Sequence, residues 1–119
     1  MVLLRRADAK TLVGMYASAA ANHGRAIHKD HRLANRNARL IAKIYRELRR
    51  RGPEAQRELL TLSSHQDPNV RVWVGAHALE FAPAQGVDIL EPISRMPGFE
   101  GANADQTLKE WHGGRLKFS

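Results

Sequence analysis

The stretch from Asp30 to Arg51 has two faces of opposite chemical character and predicts a long amphipathic α-helix. Its apolar side chains recur at the three- and four-residue steps that place them on one side of a helix. They are Leu33, Leu40, Ile41, Ile44, Tyr45 and Leu48. Its cations follow one another at similar steps, and they are Arg32, Arg36, Arg39, Lys43, Arg46 and Arg50. At about 100° per residue these six stay within about 40° of one line, nearly opposite the apolar side.

Further helices are predicted on both sides of this segment. The first begins near Asp8, a candidate N-cap, and ends at about Asn22, where Asn-His-Gly offers a break. Continuation to Lys29 is the alternative. Gly52 ends the long helix, and Pro53 suits the first turn of a third helix that runs to about residue 64.

The segment Asp-Pro-Asn at 67–69 predicts the start of a fourth helix. Asp67 can accept hydrogen bonds from the free backbone N–H groups, and Pro68 has the fixed φ that a first helical residue needs. Gly75 and Ala76 remove side-chain bulk, so we expect a neighbouring helix to approach closely there. Pro83 stops this helix.

The last part of the chain is predicted as a helix, a loop and a short helix. The fifth helix spans about residues 83–96. Pro92 falls within it, so the helix is either kinked or starts late. Residues 97–103, with two glycines and a proline, predict a loop. Asp105 would then cap a short last helix that ends near Trp111.

Helices joined by short turns are typical of an α-solenoid. We therefore predict an all-α fold, a right-handed α-α superhelix of five to six helices. The chain has 119 residues, of which 43% are hydrophobic, enough to bury the core of one compact domain. Because no low-complexity linker divides it, the predicted domain covers residues 1–119.

Two stretches carry a resemblance to known proteins. The residues D-P-N-V-R-x-x-x-x-A, from Asp67 to Ala76, resemble the opening of the inner helix of HEAT-type repeats. The resemblance implies a packing role for Asp67 and Arg71, in which the arginine reaches an aspartate of an adjacent turn. The longer run ELRRRGPEAQRELLTLSSHQDPNVRVWVGAHALEFAPAQGVDILEPI, with ADQTLKEW after it, resembles the bacterial family called domain of unknown function 2019. That family implies a small HEAT-like domain and brings no catalytic residue with it.

Catalytic and metal-binding motifs are not found in the sequence. It contains no cysteine, no G-x-S-x-G, no H-E-x-x-H and no P-loop, so we predict no enzyme, no catalytic residue and no cofactor. His28 and His31 could share a helix face with His23 nearby. A zinc site needs a third or fourth ligand, and Asp30 lies on a different face, so no metal site is predicted.

The location of the protein is predicted from its N-terminus, its apolar runs and its lack of cysteine. The first residues, MVLLRRADAK, have too short an apolar run for a secretory signal. No apolar stretch approaches the roughly 18 residues that span a bilayer. The lack of cysteine fits a reducing compartment. We expect a cytoplasmic protein without a membrane partner.

Charge is distributed unevenly. Residues 1–52 carry 13 Lys/Arg and 3 Asp/Glu, whereas residues 53–119 carry 6 and 9. The basic half suggests an acidic partner, and a merely solvated helix face is the alternative. The first functional hypothesis is a protein-binding module, in one version immunity- or antitoxin-like, anchored by Trp73 or Trp111 if these are exposed rather than core. The second is nucleic-acid or polyanion binding through the six cations.

Overall fold

The computed structural model describes residues 3–118, and in this part of the chain it contains six α-helices and no strand. The predicted all-α class and helix number are confirmed, whereas the superhelix and its handedness stay predictions. The helices are α1 (Ala9–Ala26), α2 (His31–Arg51), α3 (Pro53–Arg57), α4 (Pro68–Phe81), α5 (Pro83–Ser94) and α6 (Gly98–His112). Short 3₁₀ turns lie at Leu4–Arg6 and Glu58–Leu62.

By their internal contacts the residues form two compact units, up to Leu59 and from Leu60 to Phe118. We call them the N-terminal unit and the C-terminal unit. The assignment of the whole chain to one domain stays a prediction.

In the N-terminal unit, α1 and α2 pack against each other and bury their apolar faces. The fully buried large side chains are Leu12, Tyr16, Ile41, Ile44, Tyr45, Leu48 and Leu59. The Gln56 side-chain amide donates to the Tyr45 hydroxyl at 3.0 Å, which ties α3 to α2. The predicted apolar side of α2 is broader than its buried part, because Leu40 is half-buried and Leu33 is 38% exposed.

Aspartates begin the first two helices as predicted. Asp8 Oδ1 accepts from the Thr11 backbone N–H at 2.7 Å, and Asp30 Oδ1 accepts from that of Leu33 at 3.1 Å. Helix α1 continues through the predicted break to Ala26. His23 and Ala26, three residues apart, are both buried, so packing on this face outweighs the local break signal.

In the C-terminal unit, α4, α5 and α6 share one core. Its buried residues are Val72, Leu79, Leu90, Ile93, Ala104 and Leu108. A Cβ on Gly75 would lie 2.7 Å from Leu90 Cγ, and one on Gly86 would lie 2.8 Å from the Leu79 backbone nitrogen. The close approach predicted at Gly75 is therefore confirmed.

Two predictions for this part of the chain are wrong. Residues 97–103 are not a loop, because α6 begins at Gly98, and Asp105 lies inside that helix, where it pairs with Lys109 at 2.9 Å. The reason is the packing of Gly101, where an added Cβ would stand 1.8 Å from the Met96 carbonyl oxygen. The glycine serves a close contact rather than a loop.

The fifth helix starts at Pro83 as predicted and ends at Ser94, with Pro92 in its last turn, so the alternative of a late start is wrong. The third helix was predicted to run to about residue 64, but its α-helical part ends at Arg57 and a 3₁₀ turn follows. The α-helical part, α3, has only five residues, and Gln56 is its one buried residue in the described chain.

Candidate interaction surface

The six predicted cations of α2 form one exposed surface, which we call the basic face. Every one of them is exposed, and from Arg32 to Arg50 the helix rises by about 27 Å. Within residues 3–118, the side chains of five of the six make no hydrogen bond or ion pair, and these residues are Arg32, Arg36, Arg39, Lys43 and Arg46. Neighbours on this face carry like charge at three- and four-residue steps, an arrangement that opposes helix formation. The face is therefore not explained by the stability of the unit.

Arg50 differs from the other five because it has an internal partner. Its Nε and one terminal nitrogen donate to Glu47 at 3.0 and 2.7 Å, and Arg51 Nε donates to the same carboxylate at 2.8 Å. The hydrogen bonds from Arg50, and then those from Arg51, lower the pKa of Glu47 from 4.5 to about 2. Glu47 also raises the pKa of Arg50. This end of the face is a partly neutralised cluster.

Arg51 extends that cluster to the N-terminal segment of the chain. One of its terminal nitrogens donates to the carbonyl oxygens of Leu4 and Arg5, at 2.9 and 3.1 Å. The 3₁₀ turn at Leu4–Arg6 is therefore held against the end of α2, where Glu47 orients the guanidinium. The cluster is a structural anchor rather than an open binding site.

A groove lies between α1 and α2, beside the basic face. It consists of two cavities, of about 420 and about 480 Å³, that share Asn22 and Asn37. We call it the α1–α2 groove. Its lining residues are Thr11, Gly14, Met15, Ser18, Ala19, Asn22, Arg25, Ala26, Lys29, Asp30, Leu33, Asn37 and Leu40.

The groove and the basic face adjoin each other on α2. Residues three and four apart are neighbours on a helix surface, so Leu40 lies between Arg36 and Lys43, and Leu33 lies beside Arg36. Apolar side chains that line the groove are therefore bordered by cations with no internal partner. At the other end of the groove, Arg25 and Lys29 belong to the lining itself.

The floor of the groove carries a buried polar side chain. Asn37 is nearly buried, and its amide nitrogen donates to the Leu33 carbonyl oxygen at 3.0 Å. In the described part of the chain its side-chain oxygen has no donor. Asn22, the other residue shared by both cavities, accepts from Arg25. The groove thus combines apolar walls with one free acceptor and one engaged acceptor.

The tryptophans are neither fully core nor fully surface. Trp111 is half-buried and packs against the C-terminal core, and its ring meets that of His112 edge-on at 5.0 Å. Trp73 is half-buried, stands 6.2 Å from the His77 ring and lines a cavity of about 140 Å³. Neither is a fully exposed anchor of the kind the first hypothesis required.

Asp67 and Arg71, for which the resemblance to HEAT-type repeats implies a packing role, lie at the start of α4. Asp67 Oδ1 accepts from the Asn69 backbone N–H at 2.8 Å, which is the predicted cap. Arg71 lies one turn further on, and among residues 3–118 its buried Nε finds no acceptor. A contact of Arg71 with an adjacent repeat stays a prediction.

The described part of the chain contains neither a cluster of metal ligands nor a helix that could span a membrane. Among residues 3–118 no three His, Asp or Glu side chains converge as metal ligands would. No helix in this range is both long and apolar enough to cross a bilayer.

The α1–α2 groove was missed by sequence reasoning. Two weak signals point to it in retrospect. Gly14, Ser18 and Asn22 recur at four-residue steps on α1, which lines one helix face with small or short polar side chains. Leu33 and Leu40 lie seven residues apart at the edge of the apolar side of α2. Neither signal distinguishes a groove from a solvated face unless the position of α1 is known.

Comparison with known proteins identifies one family and one similar fold. The model of a family described as Domain of unknown function (DUF2019) matches residues 10–110. The crystal structure of the protein RPA1889 from Rhodopseudomonas palustris CGA009 aligns with a TM-score of 0.89 at 24% sequence identity, over 98% of each chain. At this identity the likeness shows the fold alone. No curated protein matches the chain.

Proposed function

The chain belongs to the DUF2019 family, and we propose that it is a non-catalytic module that binds an acidic protein through the basic face. The observation that carries the proposal is the set of five exposed cations without an internal partner. Like charges along one helix lower its stability, so a functional role is the better account of their alignment.

The type of cation supports contact rather than solvation. Five of the six are arginines. A guanidinium is more weakly hydrated than an ammonium and binds carboxylates through two parallel hydrogen bonds. Arginine is accordingly enriched in protein interfaces, whereas lysine is depleted there. A face built for solubility alone would gain as much from lysine.

A protein partner is favoured over a nucleic acid by the surroundings of the face. Apolar side chains bordered by charges resemble the core and rim of a protein interface. The face itself carries no aromatic side chain on which a base could stack. An immunity or antitoxin-like role is one form of this proposal, and it rests on size and fold class. A cytoplasmic location is part of the same proposal.

Polyanion binding is the second candidate, and the length of the face favours it. About 27 Å of helix could follow several phosphates of one strand, which are about 3.4 Å apart along the axis of duplex DNA. Such binding would be independent of sequence and would weaken steeply with salt.

The experiment uses two variants with the same change in net charge. The face variant reverses three unpaired cations: Arg36→Glu, Lys43→Glu and Arg46→Glu. The matched variant reverses three exposed cations of the C-terminal unit: Arg95→Glu, Arg115→Glu and Lys117→Glu. Binding to a labelled polyglutamate, a random DNA duplex and a single-stranded RNA is measured by fluorescence anisotropy across a salt series.

We expect the wild-type protein and the matched variant to bind polyglutamate, and the face variant to bind it about tenfold or more weakly. Equal weakening of both variants would show that net charge alone matters and would refute a dedicated face. Tighter binding of DNA or RNA than of polyglutamate, with a steep salt slope that only the face variant loses, would favour the second candidate.

A further inference from the structure

We infer that the α1–α2 groove binds an acidic amphipathic helix of the partner, with apolar side chains seated against Met15, Leu33 and Leu40 and carboxylates facing Arg36 and Lys43. This inference rests on the proposed function, because it names the binding mode of the partner. The basic face alone would accept any acidic chain. The groove adds the requirement that the bound segment of the partner has a shape that fits between α1 and α2.

The spacing of the apolar groups fits a helix. Leu33 and Leu40 are seven residues apart on α2, which is about 10.5 Å along the axis. A docked helix presents its own apolar residues at i and i+7 with the same separation, and intermediate ones at i+3 and i+4. Leu33 is 38% exposed and Leu40 half-buried, so both retain apolar surface that a partner can cover.

An extended peptide fits the groove less well than a helix. The walls are the side chains of two α-helices, whose backbone groups are already bonded within the helices. A strand lying there would leave its own N–H and C=O groups without partners, which costs free energy when they are desolvated. A helix satisfies these groups internally and exposes only side chains to the walls.

The charge around the groove selects an acidic helix. Arg36 and Lys43 border the apolar residues on α2, and Arg25 and Lys29 line the far end. The one carboxylate in the lining, Asp30, is engaged as the N-cap of α2. A partner helix with carboxylates beside its apolar stripe would meet cations along its length.

Gly14 provides a way to close the groove without disturbing the core. It lines the first cavity and is exposed, and a Cβ added there would meet nothing within 4 Å. In Gly14→Phe, the ring would occupy the groove. The substitution replaces a residue with poor helix propensity by a better one, so folding should be preserved. Gly14→Ala is the control that changes the helix and leaves the groove open.

The probes are two synthetic peptides of about 20 residues, or about 30 Å as a helix. The first has leucines at i, i+4, i+7 and i+11 and glutamates beside them. The second has the same composition with the leucines distributed around the helix. Binding to the wild-type protein, Gly14→Phe, Gly14→Ala and the face variant is measured by anisotropy, and circular dichroism confirms that each protein is folded.

We expect the patterned peptide to bind Gly14→Phe about tenfold more weakly than wild type, and Gly14→Ala only slightly more weakly, because a single methyl group fills little of the groove. The distributed peptide should bind all three of these proteins weakly. Similar binding of both peptides, unaffected by Gly14→Phe and lost in the face variant, would refute the groove while the proposed function stands. Failure of both peptides and of polyglutamate to bind would refute both. A concentration-dependent dimer of the wild-type protein that Gly14→Phe abolishes would show that a second copy occupies the groove, and would also overturn the inference.

Discussion

The two units use their small residues for opposite purposes. In the C-terminal unit, Gly75, Gly86 and Gly101 lie where an added Cβ would come within 3 Å of a neighbouring atom. In the N-terminal unit, Gly14 faces open space at the edge of a groove. The first three glycines allow helices to touch, whereas Gly14 keeps a surface concave. The same residue type therefore indicates tight packing in one unit and a candidate binding surface in the other.

The two units also differ in their balance of basic and acidic residues. Residues 60–118 carry 5 Lys/Arg and 7 Asp/Glu, whereas residues 3–59 carry 14 and 5. In the C-terminal unit, Lys109 pairs along its own helix, with Asp105 at 2.9 Å. On the basic face, five cations have no such pair within the part of the chain described. The C-terminal unit carries a small excess of acidic residues, whereas the N-terminal unit carries a large excess of cations, six of which lie on one face of α2.

Among the substitutions that test this difference between the units, the largest effect on stability is expected at Gly101. In Gly101→Ala, the new Cβ would lie 1.8 Å from the Met96 carbonyl oxygen, and backbone cannot yield as a side-chain tip can. We expect a loss of about 3 kcal/mol or more in the free energy of unfolding. Urea denaturation followed by circular dichroism measures it. An unchanged midpoint would mean that Gly101 does not lie this close to the Met96 carbonyl group, in the turn between α5 and α6.

Glu47→Gln tests the one region of the basic face that is internally paired. The carboxylate accepts from Arg50 and Arg51, and its replacement by a neutral amide should cost about 1.5 kcal/mol at pH 7, since Arg50 is 58% exposed and solvent screens part of the interaction. Urea denaturation of the variant and the wild type at a series of pH values measures the difference.

The pH dependence of that difference has a defined sign. The pKa of Glu47 is lowered to about 2 in the folded protein, so its charged form stabilises the fold above the unfolded value near 4.5. This stabilisation is lost as the pH falls from about 4.5 through about 2. The variant and the wild type should therefore converge at about pH 2. A difference that stays constant with pH would show that the charge of Glu47 is not involved.

The sequence predicted the helix starts better than the helix contacts. Asp8 and Asp67 cap helices as expected, and Asp30 caps α2 at its predicted start, because a cap depends on a side chain and a backbone N–H only two or three residues away. The start of α6 was missed because Gly98 and Gly101 resemble a loop locally. The need for Gly101 comes from Met96, and only the folded contact shows it.

Of the two parts of the candidate site, only the basic face could be predicted from the sequence. The basic face follows from helical periodicity, because steps of three and four residues place the cations together whatever surrounds the helix. The groove does not follow, since Leu33 and Leu40 belong by pattern to the same apolar side as Ile41 and Ile44. How much of that side is covered depends on the position of α1, which the pattern of α2 alone does not contain.

Gly14→Ala should stabilise the protein, in contrast to the same change at Gly101. Alanine has a higher helix propensity, and space exists for its Cβ, so we expect a gain of about 0.8 kcal/mol. The urea midpoint should rise while the slope of the transition stays unchanged. Destabilisation would mean that this part of α1 has a close neighbour, and the open groove would then be in doubt.

The smallest effect is expected for Arg36→Glu, and it separates stability from binding. The new carboxylate would face Arg32 four residues before it and Arg39 three residues after it, so two like-charge contacts become opposite-charge contacts. We expect a gain of about 0.5 kcal/mol in low salt that vanishes in about 1 M salt, where charges on the surface are screened. Binding of polyglutamate should weaken in the same variant. If the substitution stabilises the fold and weakens binding, Arg36 is retained for contact with the partner. If both the stability and the binding decrease, Arg36 is a structural residue and the basic face is a solvated surface without a binding role.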